Sequence, residues 1–469
     1  MYGHRFRHPA LVLSALFLLG GCTEPKSTLE KVQERGYVTV LTRNAATSYY
    51  EGPDGPTGIE YELAKGFADG IGVELKLIVA PNITDVLNQL ADGKADFAAA
   101  GLTDTAPRRN WARFTPPYQS VTEQLVYRRS TPRPRTLGDL KGRLEVVSRS
   151  SHAESLAKNQ QEFPQLLWSE NREASSEDLL VMVSDGTLDY TVADSHELAN
   201  NQLLYPELDA AFDLTAPEPL AWAFPKNGQD DTLYLAATAY FEQLKASGVL
   251  EQILERYYGH RNGFDYVGTR TFQEHIRDRL PLYQEVFQKV GLDNTLDWRL
   301  LAAMAYQESH WDADAVSRTG VRGIMMLTNI TAQHLGVVNR HDPLESIEGG
   351  GRYLRMLINK MPERIQNPDR TWLALAAYNT GFHHLEDARI ITQMRGGNPD
   401  SWKDVKANLP LLRQGKWHQR VRHGYARGNE AVKYVENIRS YYEVLVWLSL
   451  QEENRPGVKG ALAISAPVL

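Results

Sequence analysis

Cysteine is nearly absent. Cys22 is the only one in 469 residues, so no intrachain disulfide can staple any part of the chain. A charge excess of one sign is also missing: Lys+Arg 51 against Asp+Glu 58 leaves a formal net charge of -7, with no basic stripe, which argues against nucleic acid as a partner. Long apolar runs are lacking too. The one candidate, Ala10 to Leu19 behind Arg5 and Arg7, is too short to span a bilayer and reads as an export signal. There is no repeat at a fixed period and no low-complexity tract. What remains is a chain too long for one ordinary core, matching two or three soluble domains.

The export segment ends in Leu19-Gly20-Gly21-Cys22, which resembles the lipobox of bacterial lipoproteins. The resemblance implies a signal peptide over 1–21, an acylated Cys22 and a lipidated linker over 22–28. Thr23, standing where aspartate would mark retention, implies the periplasmic face of the outer membrane. Several acyl chains anchor stably where one alone is marginal. An ordinary cleaved signal with an incidental thiol is the other reading.

From Thr28 to Gly259 short β-rich runs such as Tyr37-Val38-Thr39-Val40-Leu41 alternate with helical ones such as Glu60 to Ile71. That alternation predicts βαβ units, a mostly parallel sheet and two α/β lobes. Beyond Tyr266 the strand signals fade and apolar residues recur at helical spacing: Trp298, Leu301, Ala302, Ala305 and Tyr306 on one face, Val435, Ile438, Tyr442 and Leu445 on another. The fold class is therefore multidomain, an α/β domain over 29–265 and an all-α domain over 266–450, parted near Gly259 to Gly268. The tail, 451–469, has little to pack.

Gly101-Leu102-Thr103-Asp104-Thr105-Ala106-Pro107-Arg108-Arg109, then Phe114-Thr115-Pro116-Pro117-Tyr118, with Gly58-Ile59-Glu60-Tyr61-Glu62-Leu63 and the Asp189 to Asp194 strand, resemble family 3 solute-binding proteins, two-lobed periplasmic receptors for polar amino acids. The resemblance implies that Arg108 grips a ligand carboxylate with its planar fork, that Thr103 adds a hydroxyl and that Asp194 accepts an ammonium. One departure stands out: the family's glycine-rich loop after Val147-Ser148 reads Arg149-Ser150-Ser151-His152 here. The added bulk alters the pocket, which leaves a peptide from the cell wall as well as a free amino acid as the expected ligand.

In the helical half, Glu308 follows an apolar helical stretch. A carboxyl so placed has its charged form disfavoured and can serve as a general acid, and glycosidic bonds are the usual substrates of such acids. Glu308-Ser309, Gly323-Ile324-Met325-Met326-Leu327, Ala377-Tyr378-Asn379 and Tyr434 within Val432-Lys433-Tyr434-Val435 occur in that order. From Pro281 to Leu450 the chain resembles family 1 lytic transglycosylases, similar in fold to goose-type lysozyme. The resemblance implies that Glu308 cleaves peptidoglycan glycan strands, from their ends or within them, protonating the glycosidic oxygen and then deprotonating the C6 hydroxyl of N-acetylmuramic acid to leave a 1,6-anhydro end. It implies supporting or groove-lining roles for Ser309, Ser317, Met325, Tyr378, Asn379 and Tyr434. Met326 stands where the family has glutamine.

Hydrolysis would instead need two carboxylates roughly 5–9.5 Å apart. Asp312 and Asp314 are the nearby candidates, although short acids after a helix more often cap a turn. A lysozyme-like hydrolase, and a solute receptor with an inactive helical appendage, are the competing readings. His383-His384 with Glu386 and Asp387 lacks the i, i+4 histidine spacing of a helical metal site. No metal and no cofactor are expected.

Overall fold

The computed structural model describes residues 25–52, 55–226, 230–260, 266–317 and 320–453. Cys22, the signal segment and most of the tail lie outside the described residues. Among those described, no helix is long and apolar enough to cross a membrane.

The first half forms two lobes. Lobe one has a five-stranded sheet in the spatial order Glu74–Ala80, Tyr37–Arg43, Phe97–Ala98, Ala223–Pro225, Ala112–Phe114. Its first three strands are parallel and the last two pair antiparallel. Val38, Val40, Phe67, Phe97, Trp222 and Phe241 close one face, with Trp222 stacked on Phe97 at 4.7 Å. Leu41, Leu87, Leu90 and Ala98 close the other.

Two short antiparallel strands, Gln119–Val121 and Glu218–Leu220, carry the chain out to lobe two and back. There the strands Tyr190–Asp194, Glu123–Arg128 and Leu208–Asp213 form an antiparallel sheet, and Glu145–Val147 pairs parallel with Ser169–Asn171. The sheets are thus mixed, not mostly parallel. Glu123–Arg128 leaves the hinge and Tyr190–Asp194 returns to it, so the two must run in opposite directions. That reversal puts the end of one strand and the start of the other at the cleft.

The second half is helical. The 12-residue helix Trp298–Ser309 starts at Asp297, whose side chain accepts from Arg299 N, and ends where His310 and Trp311 turn left-handed, φ 54° and 56°. Buried residues surround it on nearly every side, so it is the central helix of this domain. It packs on Gln284–Asn294, Pro343–Lys360 and the 26-residue helix Gly428–Glu453. Asp369–Thr380 packs on that long helix as well.

The loop Gly323 to Leu327 lies against this framework through close approaches. A Cβ on Gly350 would sit 2.5 Å from Met325 Cε, and one on Gly323 would sit 2.1 Å from the Arg340 carbonyl oxygen. Gly323 also has φ 97°, a conformation that side chains resist.

The two halves meet at buried charge. Glu255, on the helix Val249–Tyr258, pairs with Arg439 at 2.9 Å and Lys406 at 3.0 Å, and Arg439 also donates to the Arg256 carbonyl at 2.8 Å. Burial pushes the Glu255 carboxyl up, but Arg439 and Lys406 hold it below its ordinary range.

Gly323→Ala is expected to cost at least about 2 kcal/mol through strain and overlap, read as a lower urea midpoint. An unchanged midpoint would mean that the loop is not seated against Arg340.

Candidate functional site

Glu308 sits in the last turn of Trp298–Ser309, where the negative end of the helix dipole disfavours a carboxylate. Its side chain is half-buried. Burial pushes the carboxyl up to about 7, against the pull of a hydrogen bond from Tyr434. That bond is short, with Tyr434 Oη donating to Glu308 Oε1 at 2.7 Å. Tyr434 comes from the long helix, and the neighbouring Asn437 amide donates to Gln307 Oε1 at 2.9 Å, so two side-chain bonds align the helices at this end.

The wall is built from the other motifs. Ser309 Oγ donates to the Ala305 carbonyl at 3.0 Å and is also 2.9 Å from the Ile324 carbonyl, tying the helix end to the Gly323 loop. Met325 is fully buried, its amide donating to Ser346 Oγ at 3.2 Å and its carbonyl accepting from Tyr378 Oη at 3.0 Å. The Tyr378 and Tyr434 rings stack at 6.5 Å. Burial, and then the Glu308 charge, push both phenols well above the usual range, so both remain donors. Asn379 is exposed at the end of its helix. Met326 is half-buried at φ 46°. Ser317 closes a turn, with its Oγ accepting from Val321 N at 3.0 Å.

Asp312 and Asp314 are exposed, and Asp312 Oδ1 accepts from Asp314 N at 3.0 Å. After burial, their charges raise the Tyr283 phenol, and neither is among the influences on Glu308. Ser346 was not singled out from sequence. A lone serine inside a glycine-rich helical run has no local mark of its role.

In the α/β half, Thr103, Arg108 and Asp194 line one cavity of about 40 Å³ between the lobes. The protein's own side chains already occupy their polar groups. Arg108 Nη1 donates to the Thr103 carbonyl at 2.9 Å, and Arg108 Nε lies 3.7 Å from Glu154. Thr103 Oγ1 meets Ser151 Oγ at 3.3 Å, and His152 Nε2 lies 3.3 Å from Asp194 Oδ1. Burial works against the His152 imidazolium, yet the Asp194 bond and the charges of Glu123, Asp194 and Glu197 push it up to about 9. Arg149 adopts φ 59°, a conformation suited to glycine. Arg43 adds a further bridge across the cleft to Glu197 and Glu177. Glu123 was missed from sequence because only strand pairing brings it to Asp194.

Comparison with known proteins now bears on both halves. The model of bacterial extracellular solute-binding proteins, family 3, matches residues 38–260, and that of the transglycosylase SLT domain matches residues 285–399. Membrane-bound lytic murein transglycosylase F 1 of Alkalilimnicola ehrlichii is 49% identical over 95% of this chain and 90% of its own. The similarly named protein of Ectopseudomonas mendocina is 47% identical over 94% and 91%, and that of Stutzerimonas stutzeri is 46% identical over 94% and 90%. With both modules matched in order and nearly half of the residues shared along almost the whole length, the chain belongs to the membrane-bound lytic murein transglycosylase F family.

Proposed function

We propose that the helical half cleaves the β-1,4 bond between N-acetylmuramic acid and N-acetylglucosamine with Glu308 as its one catalytic carboxyl. The observation that carries this reading is a carboxyl held near 7 by burial, with a single phenol bonded to it and neither nearby aspartate acting on it. Glu308 protonates the glycosidic oxygen as the bond to the anomeric carbon breaks. The substrate's C6 hydroxyl attacks that carbon, and the carboxylate just formed takes the hydroxyl proton. The leaving sugar keeps the first proton, Glu308 regains one, and the muramoyl residue closes to its 1,6-anhydro form with no water consumed. Tyr434 orients the carboxyl and stabilises its charged form between the two transfers. Tyr378 and Met325 supply the wall, while Ser309 and Ser317 hold the surrounding loop. Asn379, exposed beside Tyr378, is suited to contact a sugar.

The α/β half is read as a sensor of a wall-derived peptide or amino acid, with Arg108 and Thr103 for a carboxylate and Asp194 for an ammonium. Since Glu154 and His152 already lie against those groups, a ligand must displace them and part the lobes. Such a ligand alters activity only by favouring one arrangement over another. The long helix is the physical route: it carries Tyr434 at the Glu308 end, Arg439 against the Val249–Tyr258 helix, and Trp447, whose ring lies 5.4 Å from Tyr50 of lobe one. Acylated Cys22 would keep the whole on the periplasmic face of the outer membrane.

Mass spectrometry of digested murein should find anhydro ends, reduced about 100-fold or more in Glu308→Gln; products heavier by one water would mean hydrolysis. Because Glu308 must start protonated, kcat/KM should fall as pH rises through about 7. Tyr434→Phe, losing the bond that lowers the carboxyl's pKa, should move that limb to higher pH. Saturating muropeptides should change turnover of the unaltered chain and leave Arg108→Ala unmoved; identical responses would remove the sensing role.

A further inference from the structure

Lobe two contains an electrostatic arrangement that catalysis does not use and that the proposed ligand sensing draws on only through Asp194 and the His152 beside it. Glu123 and Asp194 stand directly opposite one another on paired antiparallel strands, a position in which like charges repel. Glu123 is 0% exposed, and neither of its carboxylate oxygens has a hydrogen-bond partner. Buried carboxylates are ordinarily paired, hydrogen-bonded or bound to a metal. Asp194 is the N-cap of Ser195–Asn201, yet its side chain makes no capping bond, which leaves that carboxylate facing the cleft.

His152, from the first turn of the helix Ser151–Asn159, completes the group. One ligand atom from each of Glu123, His152 and Asp194 lies within 4.8 Å of the other two. Zinc bonds to nitrogen and carboxylate oxygen are about 2.0–2.1 Å, so the ligand atoms of a tetrahedral site stand about 3.4 Å apart. The His152 Nε2 to Asp194 Oδ1 separation is 3.3 Å, already that edge, and Glu123, within 4.8 Å of both, completes the site by moving inward. Glu218 has a buried Oε2 without a partner, and after burial the charges of Glu123 and Asp194 raise its carboxyl.

We propose that Glu123, His152 and Asp194 hold a divalent transition-metal ion in the cleft wall of lobe two. One imidazole with carboxylates suits zinc or manganese, and the tetrahedral edge favours zinc. On binding, His152 gives up its second ring proton to solvent, and the ion offsets the charges across the strand pair and takes up the unpartnered Glu123 carboxylate. All three ligands come from lobe two, so binding does not require the lobes to close. The inference does not rest on the sensing role: with Asp194 on the ion, the ion replaces the ammonium contact proposed above, and Arg108 and Thr103 remain for an anionic group.

The test is isothermal titration of the full chain in detergent, stripped with a chelator and dialysed, against zinc chloride and then manganese chloride, with bound metal counted by mass spectrometry. One equivalent of zinc is expected, with a rise in melting midpoint. Glu123→Gln and Asp194→Asn should each weaken binding at least about 100-fold and abolish that rise, while the metal-free Glu123→Gln chain should melt no lower than the metal-free unaltered chain because a facing charge is gone. If either variant does not fold, His152→Gln carries the same comparison. His383→Ala, altering the ring that stacks on His423 at 4.6 Å, should keep the zinc, and Arg108→Ala should keep it while losing any muropeptide response. No stoichiometric zinc in the unaltered chain, or undiminished binding in the Glu123, Asp194 and His152 variants, overturns the proposal.

Discussion

The 2.7 Å hydrogen bond from Tyr434 to Glu308 is the contact on which the helical half depends. It joins the end of the central helix to a helix more than a hundred residues further along the chain. It also balances two opposed requirements. Enclosure at the negative end of a helix keeps the carboxyl protonated near neutrality, and the phenol prevents the charged form from becoming prohibitive. That balance is what the proposed mechanism asks of a single acid, which must give a proton and take one back. The remaining motifs keep that balance in place: Ser309 ties the helix end to the Gly323 loop, and Tyr378 holds the Met325 carbonyl beside it.

The same helix couples this chemistry to the rest of the molecule. Arg439, nearly fully buried, bonds both the Glu255 side chain and the Arg256 carbonyl. A buried guanidinium with several fixed acceptors resists displacement, because breaking one contact strands a desolvated charge. The Glu308 end and the lobes therefore share one rigid element. In the proposed sensing role, this helix is the element through which a shift of the α/β half would reach Tyr434.

The cleft between the lobes is organised by charge to a greater degree than the helical site. Arg43, Arg108 and His152 each face carboxylates from the opposite lobe or the same wall. The loop Arg149-Ser150-Ser151-His152 lines this cleft through Ser150, Ser151 and His152. It introduces a left-handed Arg149 and brings His152 onto Asp194, so that carboxylate is met first by the protein's own imidazole.

Much of this was legible along the chain. The change from strand-like alternation to helical spacing gave two lobes and a helical domain, and Glu308, Tyr378 and Tyr434 stood out within ordered motifs. The parallel-sheet expectation failed in lobe two because period and composition do not record whether a strand leaves the hinge or returns to it. Glu123 and Ser346 had no local mark, since one acquires its setting from strand register and the other from a helix passing a loop. The sequence by itself determined the kinds of element and the chemical groups on offer, because periodicity and residue type are local properties. Only the tertiary structure decided which groups meet: the phenol on Glu308, the imidazole on Asp194 and the guanidinium on Glu255. Burial and distance, which set a carboxyl's proton affinity and a charge's partner, arise only when distant segments pack together.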